Sequence, residues 1–442
     1  MDTVLHFAPA GGWLNDPNGL IEHRGIHHLF FQHNPHQLAM GNMCWGHAIS
    51  RDLLTWTEQP IALSPGPGSY DEEGCWSGCA VHDGEGVTVI YSGNKGGVQL
   101  PCLAHALDDG LVRWEKSADN PVIPGRPPVG GITDMRDHSV RWDGERWRQV
   151  VAGGASGVGM LFAYSSDDLV AWSWDGVFLR AADAALPGQI WECPDVFEAD
   201  GQLAAIISVI TVSRPLVIWV AGSAEEGALR PRRWGTVDYG DRLYAPQSYL
   251  DQQGRRIMFG WLQTQADPAT RGEPNAGTIS LPRILTVAKG RLHQAPAAEL
   301  RQRRGVGVQR SPVPAAGEFA VQMPSTAAVE IEISSPSWAA LRGAEIDLRD
   351  DHGHRMTVDL SVFFAADRHA DPETGRTGLE TGPAAATIFF DCGIVEAFVD
   401  GKAASFSDGR LRQVTSLHLK GVTGEPAELT VWPLTRMARG QH

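Results

Sequence analysis

Three carboxylates stand out by their surroundings: Asp16 in Trp-Leu-Asn-Asp-Pro-Asn-Gly, Asp137 in Thr-Asp-Met-Arg-Asp-His and Glu192 in Ile-Trp-Glu-Cys-Pro-Asp. Carboxyl groups carry out proton transfer and covalent attack at acetal carbon. Two of them flanking one bond are the equipment of glycoside hydrolysis, one donating a proton to the leaving oxygen while the other attacks or activates water. An ordinary reading competes with this one. Asp16-Pro17-Asn18-Gly19 is a β-turn composition, with Pro presetting φ and Asn-Gly tolerating positive φ, so the tetrapeptide by itself predicts a hairpin tip. The choice depends on whether the chain brings the three carboxylates together.

A repeat supplies the coordinate. HAISRDLLTW (47–56), HALDDGLVRW (105–114) and AYSSDDLVAW (163–172) align without gaps, each with Leu three residues before a terminal Trp; the Trp residues are 58 apart, and a looser fourth copy ends 62 residues later at Trp234. A period near 60 in a Gly-rich chain fits four-stranded blades better than helical repeats. A fifth unit lacks the Trp but keeps the strand-like runs RRIMFGWLQT and GTISLPRILTV. The expected fold is all-β, a five-bladed β-propeller over residues 1–300, a basic Pro/Gly-rich linker over 301–316, and a β-sandwich over 317–442 built from runs such as VEIEIS, ATIFFD and GIVEAFVDG. Asp16, Ser77, Asp137 and Glu192 lie 40, 37, 35 and 42 residues before the Trp of their units. They share one phase, early in each blade, where side chains converge on the central channel. Like charges gathered there repel, an arrangement that is expensive unless it does chemistry.

Composition narrows the function classes. The 442 residues carry a net charge of -15, which disfavours nucleic acid and anionic membrane surfaces as partners and leaves a neutral small molecule compatible. Fifteen Trp are ample for stacking on sugar rings or for filling β cores. The apolar run 203–222 is interrupted by Ser213-Arg214-Pro215, which predicts two strands and a turn rather than a membrane span. The opening MDTVLHFAPA has neither a basic n-region nor an apolar h-region, so a cytoplasmic protein is expected. Six cysteines without a CxxC pair indicate neither a disulfide framework nor a zinc site. Neither composition nor pattern fixes an oligomeric state.

Taken in order, WLNDPNG (13–19), FFQHNP (30–35), GNMCWGHAISRDLLTW (41–56), WSG (76–78), Arg136-Asp137, ECPD (192–195) and YAPQ (244–247) resemble glycoside hydrolase family 32, the invertases, sucrose-6-phosphate hydrolases and fructanases. GIVEAFVDGKAASFSDGR and the closing TVWPL resemble that family's C-terminal β-sandwich. The resemblance implies a retaining double displacement on a β-D-fructofuranoside, with a small carbohydrate as the partner and no metal or organic cofactor. Asp16 would be the nucleophile at C2, Glu192 the acid and then the base, and Asp137, with Arg136, the stabiliser of the transition state. Trp13, Leu14, Asn15, Gln32, Met40, Trp76, Ser77 and Trp261 would shape the substrate pocket.

Physical expectations accompany these roles. Glu192 must hold a proton near neutral pH, whereas Asp16 must stay ionised, favoured by backbone N–H donors in the Asp-Pro-Asn-Gly bend and by a nearby Asn. Cys193 should point away from the site if strand alternation holds, and pack. The chain departs from the family pattern at His138, where Arg-Asp-Pro is usual, at Met40, where Trp-Gly-Asn is usual, and at Arg242, where an Asp is usual. Alternatives are a fructosyltransferase or fructan-active enzyme using the same residues, a non-catalytic fructan-binding propeller, and an inverting arabinan-type hydrolase, which would lack the WLNDPNG and ECPD contexts.

Overall fold

The computed structural model describes residues 3–212, 214–225, 227–263, 272–364 and 384–436. Strands dominate it. The first sheet comprises β1 (Gly12–His23), β2 (Ile26–Asn34), β3 (Cys44–Ser50) and β4 (Thr57–Leu63); the second, β5 (Cys75–His82), β6 (Val87–Lys95), β7 (Val98–Ala106) and β8 (Trp114–Lys116). The third holds β9 (Ile132–Trp142), β10 (Trp147–Ala155), β11 (Val158–Ser166) and β12 (Trp172–Arg180); the fourth, β13 (Trp191–Ala199), β14 (Gln202–Val209), β15 (Leu216–Glu225) and β16 (Ala228–Thr236). The fifth is built on β17 (Leu243–Leu250), β18 (Arg256–Leu262), β21 (Arg283–Ala288) and β22 (Arg291–Pro296), with the short β20 (Thr278–Ile279) beside β18. The two-residue β19 (Asn275–Ala276) leaves the fifth sheet and pairs in parallel with β1 of the first, Gly12 opposite Asn275. Thus the last sheet of the series is tied to the first.

The core explains why inner strands read as unbroken apolar runs. Each sheet is covered on both faces by its neighbours: Ile21, Phe30 and Trp45 pack with Val89 and Tyr91 between the first and second sheets, Leu161 and Phe178 with Ile207 and Ile218 between the third and fourth, and Leu14, Leu29 and Phe31 with Tyr249, Ile257 and Phe259 between the fifth and first. Strand β14, Gln-Leu-Ala-Ala-Ile-Ile-Ser-Val, is buried on both sides. Outer strands face water and carry charge and Pro, as Arg230-Pro231-Arg232-Arg233 does in β16, which blunts an otherwise open edge. First strands also contact one another in series, β1 with β5, β5 with β9, β9 with β13, β13 with β17 and β17 with β1. They surround one axis.

The repeated Leu-x-x-Trp is a tight turn leading into each outer strand. Leu53, Leu111 and Leu169 all have left-handed φ values of 64°, 53° and 68°, and the indole N–H of Trp114 and of Trp172 donates to the carbonyl of Leu111 and of Leu169 at 2.9 and 2.7 Å. Asp52 and Asp168 accept backbone N–H groups across the same turn.

Beyond the fifth sheet come a 3₁₀ turn (Ala298–Arg303) and the strands β23 (Gln309–Val313), β24 (Glu318–Thr326), β25 (Ala328–Ser335), β26 (Glu345–Arg349), β27 (Arg355–Asp359), β28 (Ala384–Asp391), β29 (Ile394–Val399), β30 (Lys402–Ser407), β31 (Val414–Lys420) and β32 (Ala427–Pro433). They form a six-stranded sheet, β23-β32-β25-β28-β29-β30, and a four-stranded one, β24-β31-β26-β27, around an apolar core that includes Ile331, Ile346, Phe390 and Leu417. Residues 309–313, expected within a linker, pair with β32; along this edge strand half-buried and exposed positions alternate, and the strand ends on the buried Val313. The run 203–222 is the hairpin β14–β15, as its Arg214-Pro215 interruption predicts; Ser213 lies outside the described residues. Among the described residues, no helix is long and apolar enough to cross a membrane.

Candidate active site

The four residues sharing a phase of the repeat all lie on first strands: Asp16 on β1, Ser77 on β5, Asp137 on β9 and Glu192 on β13. Each sits at a register shift. The pairing slips between Leu14 and Pro17, between Trp76 and Gly78, between Arg136 and His138, and between Glu192 and Asp195; the fifth first strand slips between Tyr244 and Gln247. A bulge adds a residue to one strand, bends it and re-aims the side chain, which is how polar groups leave the ladder and meet near the axis. Asp-Pro-Asn-Gly is therefore not a hairpin tip. It lies inside the 12-residue strand β1, where Pro17 needs no ladder donor at the bulge and Gly19 takes φ 51°.

Asp16 accepts the Ser77 hydroxyl at 2.7 Å and the Cys193 thiol at 3.4 Å, with Asn15 also donating to it. These side-chain donors replace the backbone N–H groups expected of a turn. Burial raises the Asp16 carboxyl above its ordinary range, Ser77 and Asn15 oppose the rise, and the Glu192 charge adds to it. Asp137 is buried, with φ 62°; its carboxylate accepts the backbone N–H of Cys193 at 3.0 Å and the thiol at 3.4 Å. Burial pushes its carboxyl up to about 7, Arg136 working against the shift and Glu192 and Asp16 with it. Glu192 is held at both oxygens: Arg136 donates to Oε1 from Nε at 3.1 Å and Nη2 at 2.7 Å, and the Tyr244 hydroxyl donates to Oε2 at 2.5 Å. Arg136 is also paired with Asp134 and lies 5.9 Å from the centroid of the Trp76 ring. Burial alone would lower its pKa, but the Asp137 and Glu192 charges outweigh that and hold it above the usual guanidinium range.

Cys193 corrects an expectation. Strand alternation would turn it away from the site, yet the bulge and its φ of 44° place its sulfur between the Asp16 and Asp137 carboxylates. Burial, followed by the adjacent charges, pushes its thiol well above the ordinary range, so it acts as a neutral S–H donor rather than as a nucleophile.

Other expected residues divide into neighbours and outliers. The Trp13 indole donates to Asn15 Oδ1 at 2.8 Å and meets the Trp261 ring edge-on at 5.9 Å, while Gln32 donates to the Cys75 carbonyl at 3.0 Å. Leu14 does not belong to a pocket wall: its side chain is fully buried in the apolar core between the first and fifth sheets. Met40, in the loop after β2, is 57% exposed, and its substitution for an aromatic leaves an open position rather than a packed wall. Glu192 and Tyr244 open onto a cavity of about 680 Å³ whose polar wall includes Asp241, Arg242, Gln263 and Arg214. Arg242 thus lines the same cavity as Glu192, buried and paired with Asp241 at 3.1 Å. Sequence reasoning does not reach Tyr244 as a partner of Glu192. Its motif YAPQ was visible, but the fifth unit lacks the Trp mark from which a phase is counted.

Residues 6–296 match the model for the glycosyl hydrolases family 32 N-terminal domain. The chain belongs to glycoside hydrolase family 32. It is 33% identical over 468 residues to raffinose invertase of Escherichia coli, covering 98% of this chain and 95% of that one, and 32% identical over 434 residues to sucrose-6-phosphate hydrolase of Escherichia coli, covering 91% and 88%. Among solved structures, fructan 1-exohydrolase IIa from Cichorium intybus superposes with a TM-score of 0.80 at 22% identity, over 98% of this chain and 97% of that one. Sucrose-6-phosphate hydrolase from Lactobacillus gasseri gives 0.79 at 19% identity, over 98% and 93%. At such identities these two establish a shared fold.

Proposed function

We propose that this chain is a retaining β-D-fructofuranosidase acting on sucrose or closely related small sugars, with Asp16 as nucleophile, Glu192 as acid and base, and Asp137 as transition-state stabiliser. The observation that carries the reading is that carboxylates from three sheets meet around Cys193 and Arg136, with Glu192 alone of the three forming the cavity wall. In the first step the Asp16 carboxylate attacks C2 of the fructosyl unit while Glu192 gives its proton to the glycosidic oxygen, and the alcohol departs into the cavity. In the second, Glu192 takes a proton from water, the hydroxide attacks C2 and Asp16 is released. The Tyr244 hydroxyl can donate to the Glu192 carboxylate or accept from its carboxyl, so it serves both states. Trp13, Asn15, Gln32, Trp76, Ser77, Arg136 and Trp261 are assigned to the fructosyl pocket. The five tied sheets are read as blades of a propeller, the two later sheets as a sandwich, and the enzyme as cytoplasmic.

The test compares two variants. Glu192→Ala is expected to lose most activity on sucrose yet to form the fructosyl-enzyme from a fructoside with an acidic phenol as leaving group, and azide should then yield a β-fructosyl azide. Asp16→Asn should fail on both substrates, because an amide is a poor nucleophile. Azide rescue of the Asp16 variant, or an inverted product, would reverse the assignment. Product analysis at high sucrose separates hydrolysis from transfer, and a panel of sucrose, sucrose 6-phosphate, raffinose, inulin and levan sets the substrate.

A further inference from the structure

Behind the carboxylates, one buried hydroxyl serves three partners. Ser92, on β6, donates to the Ser77 carbonyl at 3.1 Å, accepts the Asp137 backbone N–H at 2.9 Å and lies 3.0 Å from His138 Nε2. Its single proton must go to the carbonyl, which can only accept. Its two acceptor sites are therefore left for the Asp137 N–H and for His138, which must carry its proton on Nε2. The other ring nitrogen, Nδ1, is then an acceptor, and the Gln149 side-chain amide stands 3.0 Å from it. Ser92, Gln149 and His138 are all buried, and burial takes the His138 imidazole down to about 3, so the neutral ring this pattern requires is the one present.

The hydroxyl joins two functions. Through Ser77 it touches the residue that donates to Asp16, and through the Asp137 N–H it anchors a non-glycine residue held at φ 62°, a left-handed conformation that relaxes unless its surroundings enforce it.

We propose that Gln149, His138 and Ser92 form a positioning relay that fixes the Asp137 carboxylate and the donor of Asp16 from a single buried hydroxyl. This rests on the catalytic reading of Asp16 and Asp137. His138 is a positioning residue, since it reaches the reacting groups only through Ser92. Its N–H holds the hydroxyl proton on the Ser77 carbonyl and leaves a lone pair for Asp137. Without that N–H the hydroxyl keeps only the Ser77 carbonyl and the Asp137 N–H and can shift between them, and displacements of about 1 Å at a catalytic group can cost 100-fold in rate.

The test is steady-state kinetics on sucrose and on an aryl fructoside with an acidic leaving group, alongside thermal unfolding. His138→Phe keeps the ring and removes the donor. It is expected to lower kcat roughly 10-fold on both substrates with KM within about twofold, because the stabiliser serves each step whatever the leaving group. Ser92→Ala should fall further, and the double variant should match Ser92→Ala rather than multiply the losses. His138→Gln, whose amide can donate to Ser92, should recover part of kcat, a rescue that a purely space-filling role would not give. Wild-type kcat in His138→Phe, a loss confined to KM, or multiplicative losses in the double variant would overturn the relay. If His138→Phe does not fold, Gln149→Met carries the same test: a lower kcat at unchanged KM supports the relay and wild-type kcat overturns it. Asp137→Ala keeps the two claims apart. Retained activity there defeats the reading of Asp137, whereas an inactive Asp137→Ala beside a fully active His138→Phe defeats only the relay.

Discussion

Asp137 shows what a buried carboxylate costs the fold that holds it. Its carboxyl is raised by burial first and by the neighbouring acids second, so between the ordinary Asp range and about pH 7 the folded protein binds a proton that the unfolded chain has released. Stability should therefore fall as pH rises through that window. Asp137→Asn removes the titration, and the difference in Tm between variant and parent is expected to grow in the variant's favour from pH 4 to pH 7, measured by differential scanning calorimetry; a difference independent of pH would contradict it. At this scale the sequence was informative about identity and poor about direction. The contexts of Asp16, Asp137 and Glu192 mark them in the sequence and the structure brings them near one another, whereas alternation predicts the wrong direction for Cys193 because it fails at a bulge, and Leu14, expected at the pocket, lies in the core.

Elements set the phase of the site. A Leu-x-x-Trp turn ends the connection into the fourth strand of its sheet, so a Trp at the sheet's rim reports the position of the first strand some 40 residues earlier. In the third sheet the turn is held by the Trp172 indole N–H on the Leu169 carbonyl and by Asp168 accepting two backbone N–H groups, with the leucine in a left-handed conformation that side chains avoid. Trp172→Phe removes that bond and some packing, and is expected to cost about 1–2 kcal/mol, read as a lower Tm, with kcat/KM for sucrose unchanged. Equal stability would mean that the turn is held by Asp168 alone. The spacing of 58 residues was legible; the bulges were not, since a register shift is a relation between two strands and neither strand encodes it by itself.

Across the whole molecule, a buried charge network joins the five-sheet part to the two later sheets. His6 meets Asp391 at 2.8 Å and Glu396 at 3.0 Å; Arg283 reaches Glu396 at 2.5 Å and Asp238 at 2.9 Å, all with fully or almost fully buried side chains. Burial would lower the His6 pKa, but hydrogen bonds and charge from Asp391 and Glu396 carry it up to about 9. A raised histidine stabilises fully below its unfolded value, and the contribution is lost as pH climbs through the folded one. It amounts to roughly 3 kcal/mol between pH 6.5 and 9. The parent Tm is expected to drop across that interval and the His6→Gln Tm to stay flatter and lower at pH 6. A parallel fall in both would place the pH dependence elsewhere. Such a pair is costly to break from one side, because the partner charge stays buried.

Sequence alone determined the class of structure and chemistry: strand periodicity, the Trp spacing, the common phase of the carboxylates and the motifs of family 32 are local or evenly repeated features, and local patterns survive in one dimension. Only the tertiary structure decided which way Cys193 points, that Tyr244 and Arg136 share Glu192, that Met40 stands open, and that Ser92 ties His138 to Asp137. Those facts depend on atoms brought together from different sheets, and on bulges that break the alternation a reader of sequence must assume.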